Sequence, residues 1–226
     1  RLYSAIIIAF FSMFYVSAQF HASGKVLNSL FHISPVHGIM IVAAVIIVYT
    51  LMGGFFAVAW TDLLQGILMI GTLVVLPVAG FLELQGSEYT LSDDLLQIGE
   101  SNASFTMGRG GLAAVSVILG GLSWGLGYLG QPHLVIRYMA IRNPNEVKKA
   151  RTIAILWALP GITGAFLIGL VALNYFGPEY FNYFDVEQAM PLLAVELLPP
   201  VFAGLLISGA VAAMMSTADS QLLVST

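Results

Sequence analysis

Six long segments of this chain contain no aspartate, glutamate, lysine or arginine. Each is long enough to cross a bilayer, since a membrane helix needs roughly 20 mostly apolar residues. Only 9% of all residues are charged, against about 25% in a soluble domain. We therefore predict an all-α membrane protein with six transmembrane helices in one transporter domain, residues 1–226. The uncharged segments are 2–24, 26–61, 63–82, 110–136, 152–178 and 197–218, and the predicted spans are 3–22, 38–59, 63–84, 111–138, 152–176 and 200–224.

The charges between these spans predict the orientation of the chain. Five of the eight basic residues lie between the fourth and fifth spans, and positive loops face the cytoplasm. The acidic segments 83–109 and 177–196 should then face outside, the second with a short interfacial helix over 186–198. The connection at 60–62 should be cytoplasmic. The five basic residues are Arg137, Arg142, Lys148, Lys149 and Arg151.

Several kinds of chemistry find no support in the sequence. The chain has no cysteine, and its four histidines lack the spacing of metal ligands. No metalloprotease, nucleophile-elbow or P-loop motif occurs, so we expect neither an enzyme nor a nucleic-acid partner. Because the chain opens on Arg1 and ends inside an apolar stretch, we expect it to be a segment of a longer protein.

The stretch WGLGYLGQPH at 124–133 contains a G-x-G-x-x-G pattern, which in dinucleotide-binding proteins follows a strand. Here it lies within an uncharged span and Pro132 follows it, so a nucleotide loop is not expected. Clustered glycines with a proline weaken a helix instead. Such interrupted spans mark transporter binding sites, although glycines also form packing surfaces. Trp124 and Tyr128, one turn apart, favour the wall of a small cavity.

The last span carries small residues every four positions, a pattern typical of closely packed membrane helices. Within it, Ser216 and Thr217 place two hydroxyl oxygens one turn beyond Ala213. Hard cations such as Na⁺ prefer oxygen ligands. Ion binding and tight packing both remain open for this helix. An acidic side chain within a membrane span is costly and usually functional, which makes Asp219 a functional candidate. The alternative is that Asp219 lies close to the cytoplasmic end, where solvent or a basic residue accommodates it.

Two further polar residues stand out among apolar neighbours. Asp62 is the sole acid between the second and third spans; it either caps the third helix or serves a function. Tyr15 lies in the middle of the first span with serines and a glutamine nearby, and we expect it on a polar face directed to the bundle interior.

Three longer motifs carry a resemblance to a known family. The segments YTLMGGFFAVAWTDLLQ (49–65), WGLGYLGQPHLVIRYMA (124–140) and AAMMSTADSQLLV (212–224) resemble the sodium/solute symporter family, most of all its sodium/proline branch. The resemblance implies a LeuT-type fold of two inverted five-helix repeats, of which this chain would provide core helices three to eight. The span with the glycines would then be core helix six, which is discontinuous in the family.

The resemblance also implies a role for each matching residue. Ala213 would offer its carbonyl to Na⁺, and Ser216 and Thr217 their hydroxyls. Asp62 would lie on the sodium route to the cytoplasm. The proline pocket would be shaped by Trp124, Tyr128, Pro132 and Tyr15.

The function implied is Na⁺-coupled uptake of L-proline by alternating access, without an organic cofactor, in a multi-pass protein of the bacterial inner membrane. Its partners would be Na⁺, proline or a similar solute, and the lipid bilayer. Core helices one and two have no counterpart here, so we expect the isolated chain not to transport. Three alternatives remain: a symporter for pantothenate, a sugar or another amino acid; the membrane sensor domain of a histidine kinase; and a purely structural membrane bundle.

Overall fold

The computed structural model describes residues 2–86, 91–99, 101, 104–128, 130–183 and 185–225. All of its regular structure in these ranges is helical. Short 3₁₀ turns at Leu84–Gly86, Tyr180–Asn182 and Val186–Gln188 accompany the longer helices. The α-helices are α1 (Leu2–Phe31), α2 (Pro35–Glu83), α3 (Leu91–Ile98), α4 (Gly111–Tyr128), α5 (Pro132–Met139), α6 (Pro144–Phe176), α7 (Ala189–Leu197) and α8 (Pro200–Ser225).

Five helices in the described ranges are long and apolar enough to cross a membrane, when α4 and α5 are taken together. Large apolar side chains cover their outer surfaces, for example Phe14 and Phe202, each more than half exposed. Apolar side chains that find no protein partner are suited to face lipid. The all-helical membrane architecture is therefore as predicted, while the division into six spans stays a prediction.

Helix α2 differs from the sequence-based expectation of two separate helices. It runs for 49 residues, about 74 Å at 1.5 Å per residue, more than twice the thickness of a bilayer core. Its one non-helical residue is Gly54, with φ 53° and ψ −145°, a conformation suited to glycine. The parts 35–53 and 55–83 are each long enough to cross a bilayer.

The connection expected at 60–62 lies inside α2 and is helical. Asp62 consequently does not cap a helix, and that interpretation was wrong. The prediction placed the helix boundary at the charged residue Asp62. The helix instead departs from regular geometry at Gly54, because glycine has the fewest backbone constraints.

The glycine-rich span is interrupted as predicted. Helix α4 ends at Tyr128 and α5 begins at Pro132, after Gln131 in an extended conformation with φ −70° and ψ 120°. Pro132 occupies the first turn of α5, where a missing N–H costs nothing. Leu129, within the interruption, lies outside the described residues.

Helix α8 lies at the centre of the helix packing. It contacts α1, α2, α5 and α7, while α2 also packs along α6. One apolar core joins α2, α6, α7 and α8 around Leu76, Val171 and Leu193, all almost fully buried. A second, smaller core joins α1, α2 and α8 around Ile46 and Ala218.

Two glycines let these helices approach closely. A Cβ at Gly164 of α6 would lie 1.9 Å from the Leu73 carbonyl oxygen, and one at Gly209 of α8 would lie 2.2 Å from the Thr72 hydroxyl. That hydroxyl donates across the interface to the carbonyl of Leu206 at 2.8 Å. The small residues of α8 thus do serve close packing at Gly209.

A glycine-to-alanine pair tests this close packing. Gly164→Ala should destabilise the protein by about 1–3 kcal/mol, because the new methyl group overpacks the α2–α6 contact. Gly169→Ala is the matched control: the same helix carries Gly169, and no described atom lies within 4 Å of a Cβ there. The midpoint of thermal unfolding in detergent should fall for Gly164→Ala only, and equal midpoints would refute the packing.

Candidate functional site

The three predicted sodium ligands meet on α8. The Ser216 and Thr217 hydroxyls both donate to the carbonyl oxygen of Ala213, at 3.1 and 2.9 Å. Their side chains are partly buried between the helices that surround α8. Three oxygen atoms are thereby gathered within one turn.

This arrangement leaves the hydroxyl oxygens able to bind a cation. Each hydroxyl has one proton and two acceptor lone pairs. Bonds to a carbonyl three or four residues back are common for serine and threonine in helices. Because the proton is used within the helix, the lone pairs remain free to point elsewhere. The site offers neutral oxygen ligands without a buried charge.

One turn further along α8 the helix becomes polar and buried. Asp219 is fully buried, and Ser220 and Gln221 nearly so. The Tyr49 hydroxyl of α2 donates to the Asp219 carboxylate. Gln221 accepts from Ser12 of α1 at 3.1 Å, and its amide nitrogen lies 2.9 Å from a ring nitrogen of His133. Polar contacts thus tie α8 to α1, α2 and α5.

An ion pair links α2, α5 and α8 at the same level. Arg137 at the end of α5 donates to the Asp62 carboxylate and, at 2.5 Å, to the Ser220 hydroxyl. Asp62 is 11% exposed and Arg137 is 45% exposed. A cavity of about 130 Å³ lies beside the pair, lined by both residues, His133, Ser220 and apolar side chains.

Three buried oxygen atoms near this cluster lack a hydrogen-bond partner among the described residues. They are Thr50 Oγ1, Asp62 Oδ1 and Gln65 Oε1, all on α2. Buried polar atoms are nearly always satisfied, by protein, water or an ion. The α2 side of the cluster therefore offers oxygen atoms that could accept a hydrogen bond or bind a cation.

The predicted solute residues are only partly brought together. Trp124 and Tyr128 on α4 have ring centroids 5.0 Å apart, and Pro132 follows across the interruption. Tyr15 on α1 is 47% exposed, and within the described ranges its ring contacts neither of these aromatic rings. Its predicted position on an interior polar face is therefore not what the structure shows.

The glycines of α4 and the interruption have free space around them. Apart from adjacent residues and the backbone of the same helix, no described atom lies within 4 Å of a Cβ at any of these positions, so the packing-surface alternative finds no neighbouring helix in the described part of the chain. The positions are Gly120, Gly121, Gly125, Gly127 and Gly130.

A second cluster lies where α1 meets the predicted outer segment. Lys25 binds Asp185 at 2.7 Å and Glu187 at 2.5 Å. The hydrogen bond from Lys25 holds the pKa of Asp185 below its usual range. A cavity of about 400 Å³ adjoins it, lined among others by His21 and Met214. Because its ammonium pairs with both carboxylates, Lys25 links α1 to the segment that contains Asp185 and Glu187.

Sequence reasoning missed the partners of the acids. In the sequence, Arg137 indicates only the orientation of the chain, and Tyr49 is one residue of a family motif. A helical projection gives a partial signal, because Ser220 lies one turn after Ser216 on the same face. The contacts with α2 and α5 depend on tertiary packing, which spacing along the chain does not encode.

The ion pair can be tested by a double-mutant cycle. Arg137→Gln leaves the buried Asp62 carboxylate without its cation and should cost about 1–3 kcal/mol, less than a fully buried pair because Arg137 is half exposed. Adding Asp62→Asn should restore much of this loss in detergent unfolding measurements. Strictly additive losses would show that the two side chains do not interact.

Comparison of the sequence with known proteins identifies its family. The sequence profile of the sodium:solute symporter family matches residues 1–226. The chain is 38% identical over 224 residues to the high-affinity proline transporter PutP of Bacillus subtilis (strain 168), covering 99% of this chain and 46% of that protein. It is 33% identical to the sodium/proline symporter of Staphylococcus aureus (strain USA300), covering 99% of this chain and 43% of that protein. No solved structure matches.

The match extends over nearly the whole chain, although the chain spans less than half the length of these curated relatives. Together with the five long apolar helices, it identifies a multi-pass protein of the plasma membrane. This chain belongs to the sodium:solute symporter family.

Proposed function

We propose that this chain is part of a carrier that takes up L-proline together with Na⁺ by alternating access. The observation that carries the proposal is the convergence of the Ser216 and Thr217 hydroxyls on the Ala213 carbonyl. Family membership supports the ion, and similarity to a proline transporter and a sodium/proline symporter supports the solute.

The proposed ion site uses oxygen atoms that suit a hard monovalent cation. Two hydroxyls and a carbonyl favour Na⁺ over softer ions, which prefer nitrogen or sulfur. Three ligands do not complete a sodium shell. The resemblance assigns the remaining ligands to core helix one, to which no helix of this chain is assigned.

We propose that the solute binds at the interruption between α4 and α5. The end of a helix leaves carbonyl oxygens without helical partners, and the start of the next leaves free N–H groups. The first can hold the ammonium of an amino acid and the second its carboxylate, with helix dipoles of matching sign. Trp124 and Tyr128 would then contact the apolar part of proline, with Pro132 beside them across the interruption.

The proposed cycle needs each ligand to bind one conformation more tightly than the other. Na⁺ binding would favour the state open to the outside, and proline binding the transition to the inside. Asp62 lies beside the cavity at the predicted cytoplasmic end and would receive Na⁺ on its way out. A membrane potential of 100 mV adds about 2.3 kcal/mol per charge to this inward movement.

Removing the two hydroxyls tests the ion site. The protein is expressed with whatever residues its gene encodes before Arg1 and after Thr226. Ser216→Ala with Thr217→Ala should raise the Na⁺ concentration for half-maximal proline uptake about tenfold or more, the fold-change expected if over 1.4 kcal/mol of ligand binding is lost. Ser208→Ala is the control, because its exposed hydroxyl also bonds within α8, to Leu205 at 2.6 Å. An unchanged Na⁺ dependence in the double variant would refute this site.

A competition assay tests the solute. Uptake of labelled proline should be abolished by excess unlabelled proline and unaffected by equal concentrations of pantothenate, a sugar or glutamine. The physical reason is that two neighbouring aromatic rings and a helix interruption suit a small solute with an apolar ring and one amino-acid head group. Stronger inhibition by one of the other compounds would transfer the proposal to that solute.

A further inference from the structure

Asp219 is the one residue singled out in the sequence that the proposed cycle does not use. It is fully buried in α8, two positions after the proposed ligand Thr217. An ionisable side chain within a membrane span is expensive and usually functional. Its direct partners are the neutral hydroxyls of Tyr49 and Ser220, the latter at 3.3 Å.

A cation lies one hydroxyl away from this carboxylate. Ser220 receives a hydrogen bond from Arg137 at 2.5 Å, and Arg137 is also paired with Asp62. Ser220 itself donates to the carbonyl of Ser216 at 2.6 Å. The Ser220 hydroxyl accepts from the arginine and has one proton, which it can donate either to Ser216 of the proposed ion site or, at 3.3 Å, to Asp219.

The charges of this group do not balance. Asp62 pairs with Arg137 directly, whereas Asp219 is connected to the same guanidinium only through the Ser220 hydroxyl. A guanidinium has five N–H donors in a planar fork, so it can be shared between acceptors on different helices. A stronger hydrogen bond from Arg137 to Ser220 on α8 therefore competes with the ion pair between Arg137 and Asp62.

We propose that Asp219 is a positioning residue for sodium release. Through Ser220 it draws Arg137 away from Asp62, and this frees the Asp62 carboxylate to receive Na⁺ leaving the α8 site. Asp219 does not itself bind the ion. This inference rests on the proposed function, because it needs Na⁺ to travel from Ser216 and Thr217 towards Asp62.

The competing explanation is that Asp219 only fastens α8 to α2 through Tyr49. If Asp219 has only this structural role, replacing it should lower the stability of the protein and reduce every transport mode equally. A positioning role predicts that only the modes requiring net Na⁺ release are slowed. Two transport assays therefore separate the explanations.

The test uses Asp219→Asn, which keeps an oxygen acceptor for Tyr49 but removes the charge. In vesicles, net uptake is measured with Na⁺ and labelled proline outside only. Exchange is measured with saturating Na⁺ and unlabelled proline inside as well. Net uptake should fall about tenfold, as expected when a charged hydrogen-bond acceptor becomes neutral. Exchange should stay within about twofold of the parent protein, because it requires no net Na⁺ release.

Two other variants complete the experiment. Ser220→Ala removes the bridging hydroxyl and should give the same difference between the two assays, which keeps the test decisive if Asp219→Asn does not fold. Asp94→Asn is the matched control, because Asp94 is also buried and accepts a side-chain hydrogen bond, from Asn174 at 2.5 Å, but lies on α3 outside the long apolar helices. It should leave both assays unchanged.

The outcomes distinguish this inference from the function on which it rests. Equal loss in both assays, or no loss in either, would overturn the role of Asp219 while leaving Na⁺-coupled uptake intact. Absence of Na⁺-dependent proline uptake in the parent protein would overturn the proposed function, and the positioning role with it.

Discussion

The buried polar contacts of α8 are the constraint on which the rest of this structure depends. A polar group inside a bilayer has no water to bind, so it must find a partner within the protein. Asp219 finds Tyr49 on α2, and Gln221 finds Ser12 on α1 and His133 on α5. These contacts specify which helices surround α8, while close approach at Gly209 sets how near α2 can lie.

A second set of hydrogen bonds on α8 connects the proposed ion site to the predicted cytoplasmic end. Ser216 accepts from Ser220 through its carbonyl, and Ser220 accepts from Arg137, which holds Asp62. A change at one end of this chain of hydrogen bonds alters the geometry at the other. A carrier requires such a connection, because ion binding and the opening of one side must be thermodynamically coupled. The broken α4–α5 helix joins the network through His133 and Arg137.

Periodicity and composition predicted the elements, because both are local properties of the chain. The length of the uncharged segments predicted membrane helices, and the cluster of glycines with Pro132 predicted the interruption between α4 and α5. The spacing of Ser216 and Thr217 predicted two hydroxyl oxygens one turn beyond Ala213, and the family resemblance added the carbonyl of Ala213. The charge of Asp62 indicated a helix boundary, and this was wrong. The residue lies inside α2, and its carboxylate is paired with Arg137 from a distant segment. The network around α8 joins residues up to 209 positions apart, which no local pattern could reveal.

The most direct measurement is proline accumulation in liposomes that contain the purified protein, with all residues its gene encodes and an imposed Na⁺ gradient. Labelled proline should rise above its external concentration while the gradient lasts. It should return to equilibrium when an ionophore collapses the gradient, and it should not accumulate when K⁺ replaces Na⁺. Accumulation that is indifferent to the replacement, or no accumulation under a full Na⁺ gradient, would contradict Na⁺-coupled proline transport.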